Sequence, residues 1–149
     1  MTSLSRAGTG SSSGFACTVE SRLTLIDGVC TRARDLLERQ GLGTVQFDVD
    51  LLLREFMVNA MEHGNGLDAK KKVAVDFRIG PKWIVLQIAD EGSGFRWRSR
   101  IRTLPEELST SGRGLAIGAF YAHRMRFNNP GNRVTLWISK TTRKENQGL

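Results

Sequence analysis

Hydrophobic and polar positions alternate strictly from Lys72: Val73, Val75, Phe77 and Ile79 are interleaved with Lys72, Ala74, Asp76 and Arg78. After Gly80, Pro81 and Lys82 the run WIVLQIAD, Trp83 to Asp90, keeps the same period of two. Side chains that point alternately to opposite faces belong to strands, so the two runs predict a β-hairpin. Upstream the period lengthens. Leu23, Ile26, Val29, Ala33, Leu36 and Leu37 recur every three or four residues and predict a helix from about Arg22 to Arg39, ended by QGLG. A second helix is expected to start near Asp48 as its N-cap and to run to about His63, where GNG stops it. FACTVES, Phe15 to Ser21, reads as a strand. The carboxy-terminal part predicts a third helix from about Gly114 to Arg124 and two strands joined by NNPGN. Between the hairpin and the third helix lies a connection long enough to be a functional lid. The order predicts an α+β domain, its helices packed on one face of a mostly antiparallel sheet.

Composition narrows the class. A chain of 149 residues is the size of one globular domain, here expected over 15–140. Residues 1–14, rich in Ser, Gly and Thr, bury too little apolar area to offset backbone ordering and read as a flexible tail or linker; 141–149 read as a polar tail. No apolar run approaches the roughly 20 residues that span a bilayer, so the expectation is a cytoplasmic protein without membrane contact. Cys17 and Cys30 are too few for a disulfide scaffold and have no zinc-site spacing. The net charge of +7 draws attention to phosphate polyanions. The arginines at 96, 98, 100 and 102 crowd one segment without a recognition-helix or zinc-finger pattern, and direct nucleic-acid binding is not expected.

The second predicted helix raises a question of chemistry. Leu53, Phe56, Met57 and Ala60 form one face, and Asp50, Arg54 and Met61 one that meets water. Glu55, Asn59 and Glu62 align as a polar strip flanked by Leu51, Leu52 and Val58. Two readings stand at this point: a solvated stripe ending in Glu62 and His63, or the wall of a ligand site whose missing partners are water, metal and phosphate. A second clue is IADEGSGF. Asp90 shares a face with Ile84, Leu86 and Ile88, so an apolar strand delivers a carboxylate into an apolar layer, where it could accept a hydrogen bond from an amine such as that of adenine. Gly92 and Gly94 then permit a sharp turn and a close approach. The third clue is SGRGLAIGAF, where Gly112 and Gly114 precede a predicted helix whose free N–H groups suit phosphate. A glycine-rich helix entry would look the same, and neither the P-loop nor the Rossmann fingerprint is present.

Taken in order, EFMVNAMEHGN resembles the N box, DEGSGF the first glycine box and SGRGLAI the second glycine box of the GHKL ATPase superfamily. Within it, the short chain, the form NAxxHG and the GRGL lead-in most resemble the bacterial anti-sigma-factor serine/threonine kinases. The resemblance implies the Bergerat fold, a two-layer α/β sandwich with ATP between helices and sheet under a lid of about residues 95–111. It implies Glu55 as the general base and Asn59 as an oxygen ligand of Mg²⁺. Asp90 would read the adenine amine, Gly92 and Gly94 would give the base room, and Gly112, Arg113, Gly114 and Leu115 would border the phosphates. The implied partners are a STAS-domain anti-anti-sigma protein and a sigma factor or similar regulator, and the family also allows a homodimer. Two departures stand out. Ser109, Thr110 and Ser111 occupy the place where some relatives carry an arginine that reaches the terminal phosphate, leaving that role to Arg113 or a lid arginine. NNPGNRV lacks the Gly-Thr pair of relatives and reads as a changed turn. The competing readings are a non-catalytic partner-switching module and a histidine-kinase catalytic domain.

Overall fold

The computed structural model describes residues 13–94 and 110–141. Five strands form one sheet: β1 (Ser13–Glu20), β2 (Lys72–Ile79), β3 (Trp83–Ala89), β4 (Arg124–Phe127) and β5 (Arg133–Ser139). Their spatial order is β1-β2-β3-β5-β4, and each pairing is antiparallel. The predicted hairpin is β2–β3, closed at Ile79↔Ile84, with the Gly80 N–H donating to the Trp83 carbonyl at 2.9 Å. NNPGN closes the β4–β5 hairpin, as its turn residues suggested.

Period two fixes which face is buried. Val73, Val75, Phe77 and Ile79 of β2, Ile84, Leu86 and Ile88 of β3, and Val134, Leu136 and Ile138 of β5 all lie beneath the helices. The opposite face carries polar pairs, among them Asp76 with Arg78 and Gln87 donating to Thr135 at 3.1 Å. Against the apolar face pack α1 (Ile26–Arg39), α2 (Gln46–Asn59) and α3 (Thr110–Tyr121). α1 buries Ile26, Val29, Cys30, Ala33 and Leu37; α2 buries Val49, Leu52, Leu53, Phe56 and Met57. This is the two-layer α+β sandwich of the Bergerat fold. Gly118 lets α3 come close, since a Cβ there would stand 2.6 Å from Met125 Sδ and 2.9 Å from Phe56 Cζ.

Several element ends differ from the sequence expectation. β1 starts at Ser13, paired with Ile79, and stops at Glu20. Leu23–Leu25 is a 3₁₀ turn and α1 proper begins at Ile26, the first residue there to enter the core. A second 3₁₀ turn, Gly43–Val45, leads into α2 two residues before Asp48. Val45 is fully buried and draws the chain inward early, so Asp48 lies inside the first turn, where the helix dipole favours its charge, and is not the cap. The expected lid lies outside the described residues, apart from Thr110 and Ser111, which are helical.

The end of α2 holds the largest surprise. After Asn59 the chain widens into a π-turn, Ala60–Gly64, with the Asn65 N–H donating five residues back to the Ala60 carbonyl at 2.9 Å. At about 100° per residue Met61 would point some 200° from Asn59, towards water, and His63 would fall between Leu52 and Phe56 on the buried arc. A wider turn advances less per residue and reverses both positions. Met61 is fully buried and His63 is exposed, so the assignment of Met61 to a solvated face is corrected. Met61→Ala is accordingly expected to cost about 2–5 kcal/mol, as a core truncation does, read as a lower urea midpoint with unchanged slope. A change within about 0.5 kcal/mol would be that of a surface position and would contradict this packing.

Candidate functional site

β3 ends at Ala89, and Asp90 follows with the parity of Ile84, Leu86 and Ile88. An apolar strand thus carries a carboxylate to the edge of the core. The Asp90 N–H donates to the Asn132 carbonyl at 2.9 Å, and Asp90 Oδ1 accepts the Gly92 N–H at 2.7 Å. Half-burial pushes its carboxyl above the ordinary 3.8, opposed by that N–H and by the charge of Lys71.

Beside Asp90 opens a cleft of about 360 Å³ between the end of α2, α3, the ends of β3 and β4 and the start of β5. Phe56, Ile88, Leu115, Phe127 and Val134 give it an apolar lining, while Asn59, Asp90 and Asn132 supply polar groups at separate points. A flat, largely apolar ligand that offers a donor to Asp90 suits such a site. Of the residues singled out in the sequence, Asn59, Asp90, Gly94 and Leu115 meet here. Glu55 stands one turn before Asn59 on α2, half-buried and outside the lining. His63 lines the cleft, and Glu62 is exposed without lining it.

One expectation changes at the glycines. Gly112 and Gly114 do not precede the third helix: both lie within α3, which the described residues show from Thr110 onward. Glycine disfavours helix, which moved the expected boundary downstream, but tight packing at Gly118 overrides that preference. The Arg113 side chain lies outside the described residues. Gly92 and Gly94 were expected to make room for a base. A Cβ on Gly92 would stand 2.3 Å from the Gly64 carbonyl oxygen, and one on Gly94, at φ +90°, would stand 1.6 Å from that of Pro130. Both glycines accommodate the protein's own backbone. Gly64 in turn abuts the Asp90 carboxyl, which a Cβ would approach to 2.3 Å.

The asparagines are what sequence reasoning passed over. Asn128 Oδ1 accepts the N–H groups of Gly131, Asn132 and Arg133 at 3.0–3.1 Å and shapes the β4–β5 turn. Asn128 Nδ2 donates to Asn132 Oδ1 at 2.7 Å, and Asn132 Nδ2 donates to the Gly92 carbonyl at 3.1 Å. The changed turn therefore latches onto the first glycine loop. Three asparagines among five residues were a usable signal, because Asn side chains capture turn amides. Asn65, behind the cleft, is nearly fully buried. Among the described residues no group of three or more His, Cys, Asp or Glu could hold a metal ion, so Asn59 enters as a single oxygen donor on the wall.

The Asp90 shift carries a sign. Because the folded value lies above the ordinary one, the group's favourable contribution is complete below pH 3.8 and is lost as pH rises through the raised value. Asp90→Asn should therefore raise the melting temperature of the nucleotide-free domain at neutral pH, with the gap closing as pH falls towards 3.8. A gap that does not change with pH would contradict this origin.

The sequence pattern of the histidine kinase-like ATPase domain matches residues 19–138, a span that takes in β2, β3, β4 and nearly all of β5, the three helices and every residue lining the cleft, with only the last two residues of β1. No curated protein matches the chain. The cleft lies where helix α2, strand β3 and helix α3 converge, and the match covers all three: the chain belongs to the family of histidine kinase-like ATPase domains, in which ATP is the implied ligand.

Proposed function

We propose that this domain is an ATP- and Mg²⁺-dependent serine/threonine protein kinase of the anti-sigma-factor type. It would phosphorylate a STAS-domain anti-anti-sigma protein and sequester a sigma factor or similar regulator. The observation that carries this reading is the placement of Glu55 one helical turn before Asn59, a carboxylate above the wall of a nucleotide-sized cleft. A general base belongs near the terminal phosphate and outside the base pocket, and Glu55 lies outside the lining that includes Asn59 and Asp90.

In this reading adenine lies on the apolar lining with its amine towards Asp90, and the phosphates extend along Asn59 towards the amino-terminal part of α3. Asn59 Oδ1 is one neutral oxygen in a half-buried position, which fits a metal held by few protein oxygens and otherwise by phosphate and water. Asn59 would hold Mg²⁺ there, and the ion would supply charge neutralisation at the phosphate oxygens. Glu55 accepts the proton of a serine or threonine hydroxyl as its oxygen bonds to the γ-phosphorus. The bond from that phosphorus to the β,γ-bridging oxygen breaks, and ADP departs with the electron pair. Positioning and charge neutralisation account for most of such a transfer, so a short set of residues suffices.

Transfer of labelled phosphate from ATP to a STAS-domain protein tests the reading. Glu55→Gln should slow transfer by about 10²–10⁴-fold, the usual worth of a general base, with ATP affinity kept. Nucleotide binding without transfer by the unaltered chain would instead favour a module that regulates by contact, and transfer indifferent to Glu55→Gln would remove Glu55 from the role of general base.

A further inference from the structure

Asn65 follows the π-turn directly, is 3% exposed and takes no part in lining the cleft. Its carboxamide is bonded at both ends. Nδ2 donates to Ser21 Oγ at 2.8 Å and to the Lys72 carbonyl at 3.0 Å, and Oδ1 accepts the Glu91 N–H at 2.8 Å. Ser21 Oγ donates its own proton to the Lys71 carbonyl at 2.7 Å. Turning the amide over would set donor against donor at Glu91 and acceptor against acceptor at Lys72, so a single orientation is allowed.

The bonds to Ser21 and Lys72 join the end of β1 to the start of β2, which is work any structural asparagine could do. The bond to Glu91 reaches the residue beside Asp90 and has a different consequence. Three successive amides there each have their own acceptor: Asp90 N–H on the Asn132 carbonyl, Glu91 N–H on Asn65, and Gly92 N–H on the Asp90 carboxylate. The β4–β5 hairpin holds the loop from one side, through Asn132 to both Asp90 and Gly92. Asn65 holds it from the helix side, the side on which Gly64 abuts the Asp90 carboxyl.

We infer that Asn65 is a positioning residue for base recognition: by fixing the Glu91 amide it sets the Asp90 carboxylate at the depth that accepts a 6-amino purine and disfavours a 6-oxo purine, without touching the nucleotide. The inference rests on the reading that Asp90 takes the adenine amine. With the helix-side bond gone, the loop is held from the hairpin alone, and the carboxylate has latitude to meet a ring that lacks the amine.

Calorimetry of the full chain with ATP and with inosine triphosphate, whose base carries a 6-oxo group, tests it on four proteins. For the unaltered chain ATP should bind the more tightly, and Asp90→Asn should abolish that preference. Asn65→Ser should weaken ATP by roughly tenfold while changing inosine triphosphate little, so that the ratio of affinities collapses. Ser21→Ala, which loosens the same network away from Glu91, should lower the melting temperature and leave the ratio intact; if Asn65→Ser does not fold, Asn65→Thr takes its place with the same collapse of the ratio expected. A ratio retained in Asn65→Ser, or lost in Ser21→Ala, overturns the inference. A ratio indifferent to Asp90→Asn overturns the adenine reading and the inference with it, whereas one lost in Asp90→Asn and kept in Asn65→Ser overturns the inference alone.

Discussion

The structure depends on keeping one carboxylate half out of water. Asp90 sits where an apolar strand runs out, and an acid in that position is costly unless it is bonded. Nearly every irregular feature around the cleft serves that condition. Gly64 and Gly92 clear the backbone from its surroundings, and Gly94 fits against the Pro130 carbonyl. Asn128 and Asn132 build a turn that grips the loop, and Asn65 grips it from behind. The regular elements set the scale of the cleft, and these few contacts set its detail.

Regular structure was readable in the sequence because it answers to local rules. The period of two in β2, β3 and β5 and the three-and-four spacing in α1 and α2 arise from side-chain direction alone, and they identify the buried face of each element. The order of the three glycine- and asparagine-bearing motifs went further and pointed to the cleft, where Asn59, Asp90, Gly94 and Leu115 do meet.

What escaped the sequence has its cause far along the chain. Nothing within residues 60–64 announces a π-turn; its direct effect is to bury Met61 and expose His63, a matter of fit to the sheet. Asn65 looked like part of a helix stop because its partners, Ser21, Lys72 and Glu91, lie 44, 7 and 26 residues away. The start of α3 was misplaced because glycine's poor helix propensity was weighed without the packing that offsets it. The glycines of the first box also fit closely against backbone atoms of the protein, a demand that comes from residues distant in the chain.

The π-turn also separates two geometric demands on one stretch of chain. Upstream of it, rotation of α2 about its axis is dictated by the fit of Val49, Leu53, Phe56 and Met57 to their neighbours. Downstream, Gly64 and Asn65 must face the Asp90 loop, a requirement with no reason to share the same phase. The widened turn is the gear between them. Rewinding the same five residues as ordinary α-helix would preserve every core contact before Ala60, yet it would swing all that follows by about a quarter of a turn. Helical phase, more than any single side chain, is therefore the quantity that chains sharing this arrangement must keep when residues are gained or lost between α2 and β2.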